Sequence, residues 1–211
     1  MKIDEKYSKK LLVEGNDDQH VVWALCEKHN ICETFDIIDC QSIYKLVEQI
    51  PVRLKESGID TIGIMIDADI DIKARWQSIR NQLEKQHFHI PTDLPDKGLI
   101  VQNGYQKVGV WIMPDNKTNG MLEDFLSFLI PDNDPLLPIA YQTLENIEIR
   151  GLDKYIPVHK PKALIHTWLA WQQNPGTPMG QSITKKYLST DQTTCCRFIQ
   201  WLTDLFKDKN K

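Results

Sequence analysis

The stretch from Thr61 to Ile66 is an Ile-rich run of strand length that stops at three carboxylates on alternating positions, Asp67, Asp69 and Asp71. A short apolar run without polar alternation reads as a strand buried on both faces, as in a parallel sheet. Open parallel sheets bind ligands beyond the carboxyl ends of their strands, which is where Asp67 and Asp69 would sit. Side chains two residues apart at a strand end point roughly the same way. Close carboxylates repel, so either a cation occupies the gap or the stretch is an exposed acidic turn leading into a helix near Lys73. Both readings stay open on this stretch alone.

The flanking sequence supplies the fold class. Lys9 to Gly15 reads as a first strand ending in Glu14, and Asn16 or Asp17 then caps a helix to about His29. Phe35 to Asp39 is a second strand. Ser42 starts a helix that Pro51 kinks or restarts before it ends near Gly58. After the central strand, Lys73 to about Phe88 is a polar helix. Leu99–Gln102 and Val108–Met113 are two more strands, joined as a hairpin by a turn containing Asn103-Gly104. A turn-rich loop from Pro114 to Gly120 feeds a helix from Met121 to Ile130, stopped by Pro131. This alternation predicts an α/β domain over about residues 1–130, with a mainly parallel sheet of four to five strands flanked by helices.

From residue 131 to 211 the pattern turns helical and is punctuated by prolines, predicting a C-terminal extension packed on the sheet. Leu164, Trp168 and Trp171 mark one side of one segment; Phe198, Trp201, Leu202 and Leu205 mark another, and such stripes read as core. A lysine-rich end, Lys207 to Lys211, reads as a frayed tail. The 211 residues suffice for one or two units, and 41% hydrophobic with 26% charged residues is an ordinary globular balance. A net charge of −4 excludes a surface coated in basic residues but not a local basic groove. Five cysteines with no metal-like spacing imply reduced thiols, and with no signal peptide and no membrane-length run the expected location is cytoplasmic.

Four acidic clusters follow strands at loops or helix starts: Glu14 with Asp18, Asp67 with Asp69, Asp115, and Glu123 with Asp124. Parallel neighbouring strands would bring Glu14 beside Asp67 and Asp69, with Asp18 in the first turn of the next helix. Glu123 sits on a helix N-terminus, which favours negative charge in any case.

Leu11-Leu12-Val13-Glu14-Gly15 with Asp18, then Ile64-Met65-Ile66-Asp67-Ala68-Asp69, resembles the Toprim domain of topoisomerases, bacterial primases and overcoming-lysogenization-defect nucleases. Gly109 to Asn116 and Gly120 to Leu126 look like a small stand-alone bacterial Toprim family without assigned function. The resemblance covers about residues 9–130. It implies that Glu14 is a general base or acid close to the metal and that Asp67 and Asp69 are ligands of Mg²⁺ or Mn²⁺. Asp18 and Glu123 are then the candidates for a second ion. No ATPase domain, topoisomerase tyrosine domain or primase zinc module is evident, so those activities are not expected.

The scissile phosphate also needs positive charge. In Val158-His159-Lys160-Pro161-Lys162, Lys160 and Lys162 are the candidates to face the metal centre, the alternative being a solvated basic turn. The function expected is metal-dependent phosphodiester hydrolysis of DNA or RNA. The alternative is a non-catalytic module binding nucleotide, nucleic acid or a separate partner protein, in a setting such as phage defence. A homodimer stays open. Dehalogenase-type phosphatase and sugar-nucleotide transferase readings of Asp-x-Asp fit less well, because a strand–helix–strand–helix segment comes first.

Overall fold

The computed structural model describes residues 5–207. The tail expected beyond Lys207 lies outside the described residues. The elements run β1 (Lys9–Val13), α1 (Asn16–Lys28), β2 (Asp36–Asp39), α2 (Ile43–Lys55), β3 (Thr61–Asp67), α3 (Ile72–Lys85), β4 (Leu99–Asn103) and β5 (Gln106–Met113). They continue with α4 (Leu122–Ser127), α5 (Leu136–Ile149), a 3₁₀ turn (Pro157–His159), α6 (Lys160–Ala170), α7 (Met179–Thr184) and α8 (Thr193–Phe206).

The five strands stand in the order β2-β1-β3-β5-β4. β1 is parallel to both β2 and β3, β3 is parallel to β5, and β4 is the antiparallel edge, hairpinned to β5 as the Asn103-Gly104 turn predicts. The chain leaves β1 toward β2 on one side, then crosses to β3 on the other. That reversal opens a crevice beyond the carboxyl ends of β1 and β3, where α/β sheets take their ligands. Glu14 and Asp67 stand at those two ends.

Alternation along the strands feeds two cores. Ile62, Ile64 and Ile66 join Val108, Val110 and Ile112 beneath α2 and α3. Leu11, Val13, Met65 and Trp111 face the other way, into a cluster completed by Trp168, Phe198, Trp201 and Leu205 from the C-terminal helices. The helical C-terminal part thus closes one face of the sheet. Trp111 meets Phe198 edge-on at 5.3 Å, and the Trp201 indole N–H donates to Leu99 O at 3.0 Å. Trp168 is buried as its stripe predicts, whereas Trp171 ends α6 and stays exposed. Pro51 sits inside α2 without ending it, and α4 stops at Ser127, short of Pro131. Among the described residues no helix is long and apolar enough to cross a membrane.

α8 lies against the sheet over a flat strip. Gly63 and Gly109 are register partners on β3 and β5, and Leu205 rests over both. A Cβ on Gly109 would come within 2.6 Å of Leu205. Gly109→Ala is therefore expected to destabilise the fold by about 1–3 kcal/mol through overpacking. Thermal melts should show it as a fall in Tm of about 2–4 °C per kcal/mol. An unchanged Tm would mean that α8 is free to lift.

Candidate functional site

A cleft of about 440 Å³ lies over the crevice, walled by Glu14, Asp18, Asp67, Asp69, Glu123 and Lys162 among others. Each side chain reaches it from a different local device. Glu14 follows β1, and its Oε1 accepts the Asp67 N–H at 2.8 Å, tying the ends of β1 and β3 together. Asp18 lies in the first turn of α1, where its Oδ2 accepts the Gly15 N–H at 3.1 Å. The helix start is thus held by Gly15 with Asp18, not by an Asn16 or Asp17 side chain. Asp67 ends β3, and its Oδ1 accepts the Leu122 N–H at 3.0 Å, which draws the start of α4 onto the strand end.

Asp69 adopts a left-handed φ of 53° and exchanges two 2.8 Å backbone hydrogen bonds with Gly120. That exchange needs a glycine: at φ 142°, a Cβ on Gly120 would lie 2.7 Å from Asp124 Oδ2. The carboxylate of Asp69 pairs with the Arg75 guanidinium, whose Nε also donates to Asp67 O at 3.0 Å. Glu123, only 4% exposed, pairs with Lys162 Nζ at 3.2 Å.

So many carboxylates in a half-buried cleft disfavour their own ionisation. Burial, followed by the charges of Glu14 and Glu123, pushes Asp18 up to about 7. Asp67 is raised well above the usual carboxylate range by burial, then by Asp18, Glu14, Glu123 and Asp69. Glu14 is raised by burial, partly offset by the Asp67 N–H and by Arg75. Burial works against the charge of Lys162, yet Glu123, Asp17 and Asp67 hold its ammonium above the ordinary value. Among the described residues, no three His, Cys, Asp or Glu side chains are arranged to hold a metal ion. Glu14, Asp18 and Asp67 each accept a backbone N–H, while Asp69 and Glu123 pair with cationic side chains.

The sequence pattern of DUF3226, described as a protein of unknown function, matches residues 8–207. The chain belongs to the DUF3226 family. No curated protein and no solved structure matches it. The DUF3226 match runs from just before β1 to just after α8, so it takes in the carboxylates and Lys162 alike.

In this DUF3226 chain the fold brings together Glu14, Asp18, Asp67, Asp69, Glu123 and Lys162, the residues expected from the sequence, but not Lys160. Lys160 was expected to face the same centre; its Nζ instead binds Glu148 Oε2 at 2.6 Å. The cause is helix geometry, since residues two apart on a helix differ by about 200° around its axis. Three acidic neighbours have structural duties. Asp115 Oδ1 accepts the Lys117 and Thr118 N–H groups, Asp124 Oδ2 accepts the Met121 N–H, and Asp71 Oδ1 caps α3 through Ala74 N–H. Two site residues carry only weak signals in the sequence. Arg75, in the first turns of α3, reads as an ordinary exposed helix charge. His159 lines the cleft from the 3₁₀ turn, and no spacing singles it out.

Proposed function

We propose that this DUF3226 protein is an Mg²⁺- or Mn²⁺-dependent phosphodiesterase acting on DNA or RNA, built on a Toprim-like α/β unit. The observation that carries the reading is the convergence of Glu14, Asp18, Asp67 and Glu123 in one cleft at the sheet's reversal point, with Asp18 pushed up to about 7. Such crowding is relieved either by protons or by a cation. An all-carboxylate donor set suits a hard divalent ion. The order Glu14 then Asp67-x-Asp69 supports the Toprim-like assignment.

For a first ion to be held, Asp69 would have to leave Arg75 and join Glu14 and Asp67; Asp18, with Glu123 released from Lys162, would hold a second. A bound divalent ion supplies Lewis-acid polarisation of the phosphoryl oxygen and acidifies water. The chain supplies the rest. Glu14, which burial makes more basic than an ordinary carboxylate, would accept the proton of the attacking water. As the water oxygen bonds to phosphorus, the phosphorus bond to the leaving oxygen breaks and that oxygen takes a proton from solvent water. Lys162 stands at the rim to balance charge on the phosphate.

The test is hydrolysis of single- and double-stranded DNA and RNA by the purified protein with Mg²⁺ or Mn²⁺, against a chelator and Glu14→Gln. Activity that survives both would sink the reading. Within it, Lys162→Ala should cost about 10²–10³-fold in rate, the scale of removing one transition-state donor. Lys160→Ala should leave the rate unchanged. Equal losses from the two would contradict the placement of Lys162.

A second reading rests on the pairing of Asp69 with Arg75 and of Glu123 with Lys162, which already gives two carboxylates protein cations. It makes the cleft a binding module for nucleotide, nucleic acid or a partner protein. Calorimetry showing metal-dependent nucleotide binding with no turnover would favour it.

A further inference from the structure

The exposed face of α1 carries a feature that the acidic cleft does not use. Asn16, Asp17, His20, Trp23 and Glu27 fall at helical spacing on that face, and all are exposed. Trp23 is 44% exposed in mid-helix, where core packing gives it no role. Its ring meets that of His20 edge-on at 5.2 Å and 79°, which fixes its plane. A second hollow, of about 550 Å³, lies over this face, with Gly180, Gln181 and Thr184 of α7 as its far wall. That wall is firm: a Cβ on Gly180 would lie 2.7 Å from His20 O, so α7 sits flush on α1.

The hollow adjoins the acidic cleft, with Asn16 and Asp17 lining both. From Asp17 to Trp23 the helix advances roughly 9 Å, the scale of a nucleotide unit. Asp17 and Glu27 on its rim repel backbone phosphates, so the group that enters is not the phosphate. An exposed aromatic plane beside amide and carboxylate acceptors fits a nucleobase, with stacking on the ring and its amino edge turned to the acceptors.

We infer that the α1–α7 hollow is a base-binding subsite in which Trp23 stacks on an unpaired nucleobase next to the phosphate held in the cleft. The inference rests on the hydrolase reading for that phosphate, and it names the substrate class as single-stranded nucleic acid. A base inside a duplex is already stacked on its neighbours and cannot enter without being extruded.

The test uses a fluorescein-labelled single-stranded oligodeoxyadenylate and the same strand annealed to its complement, read by anisotropy with calcium as the divalent ion. The full chain should bind the single strand more tightly than the duplex. Trp23→Ala should weaken single-strand binding by about 10-fold, and Trp23→Phe should retain most of it. Trp23 lies outside both cores, so its truncation does not threaten folding. No binding, equal binding of duplex and single strand, or binding indifferent to Trp23→Ala would each overturn the subsite. Hydrolysis by a protein whose binding ignores Trp23→Ala rejects the subsite alone. Binding that depends on Trp23 in a protein without turnover rejects the hydrolase reading alone.

Discussion

Asp67→Asn is expected to remove Mg²⁺-dependent hydrolysis and, in chelator, to raise the melting temperature. The two effects have one origin. Asp67 is the carboxylate on which the others converge, raised by burial and by Asp18, Glu14, Glu123 and Asp69 together. Asparagine keeps an Oδ1 to accept the Leu122 N–H, so the tie between β3 and α4 survives. It removes a carboxyl that burial and its acidic neighbours make costly to ionise. A cation has the opposite interest: the missing charge costs it a ligand. A loss of at least about 10³-fold in rate is expected, at 1.36 kcal/mol per tenfold. Melts in chelator and initial rates in Mg²⁺ on the same preparation check both halves. Asp71→Ala is the contrasting control, since Asp71 only caps α3: it should lose about 1 kcal/mol of stability and keep its rate. A lower Tm for Asp67→Asn in chelator would show that the carboxylate is held as a structural acceptor, and a lost rate would then report only unfolding.

The parts of this site legible in the sequence are those fixed by short-range pattern. β3 is readable because a strand buried on both faces has no polar alternation to confuse it with an exposed one, and its end is marked by the abrupt change from Ile66 to Asp67. Glu14 is readable for the same reason at the end of the fully buried β1. Trp201 and Phe198 are readable as core from helical spacing alone. The strand order is not, because nothing local says that β5 inserts beside β3 and leaves β4 at the edge. His159 enters the site only through the tertiary arrangement, whereas Arg75 reaches Asp69 and the Asp67 carbonyl across the local β3–α3 connection.

Lys160 is a different kind of miss. Its place follows from where α6 begins: the helix starts at Lys160 with Pro161 in its first turn, a position proline favours. Once the helix includes both lysines they diverge, and one of them must leave the cleft. Asp18 shows the converse. Read as a ligand from spacing, it also closes the α1 cap, so one carboxylate serves the helix start and the cleft together.

The same crowding sets a pH dependence opposite to the usual acid denaturation. Asp18 has its folded pKa raised from 3.8 to about 7, so between those values the folded state holds a proton that the unfolded state has lost. Stability then falls as pH rises through this window. Glu14 and Asp67 are shifted in the same direction and reinforce the sign. Glu5 and Asp36, lowered by their Arg53 and Lys10 partners against the cost of burial, act only below their ordinary values and leave the window clear. In chelator, Tm should therefore be higher near pH 5 than near pH 8. Millimolar Mg²⁺ should raise Tm at pH 8, where the ion replaces the missing protons, and do little at pH 5, where it must compete with them. Melting curves across this range, with and without Mg²⁺, measure both effects. A Tm in chelator that is flat or rising from pH 5 to 8 would mean that Arg75 and Lys162 already neutralise the cluster, leaving no charge for a cation to balance.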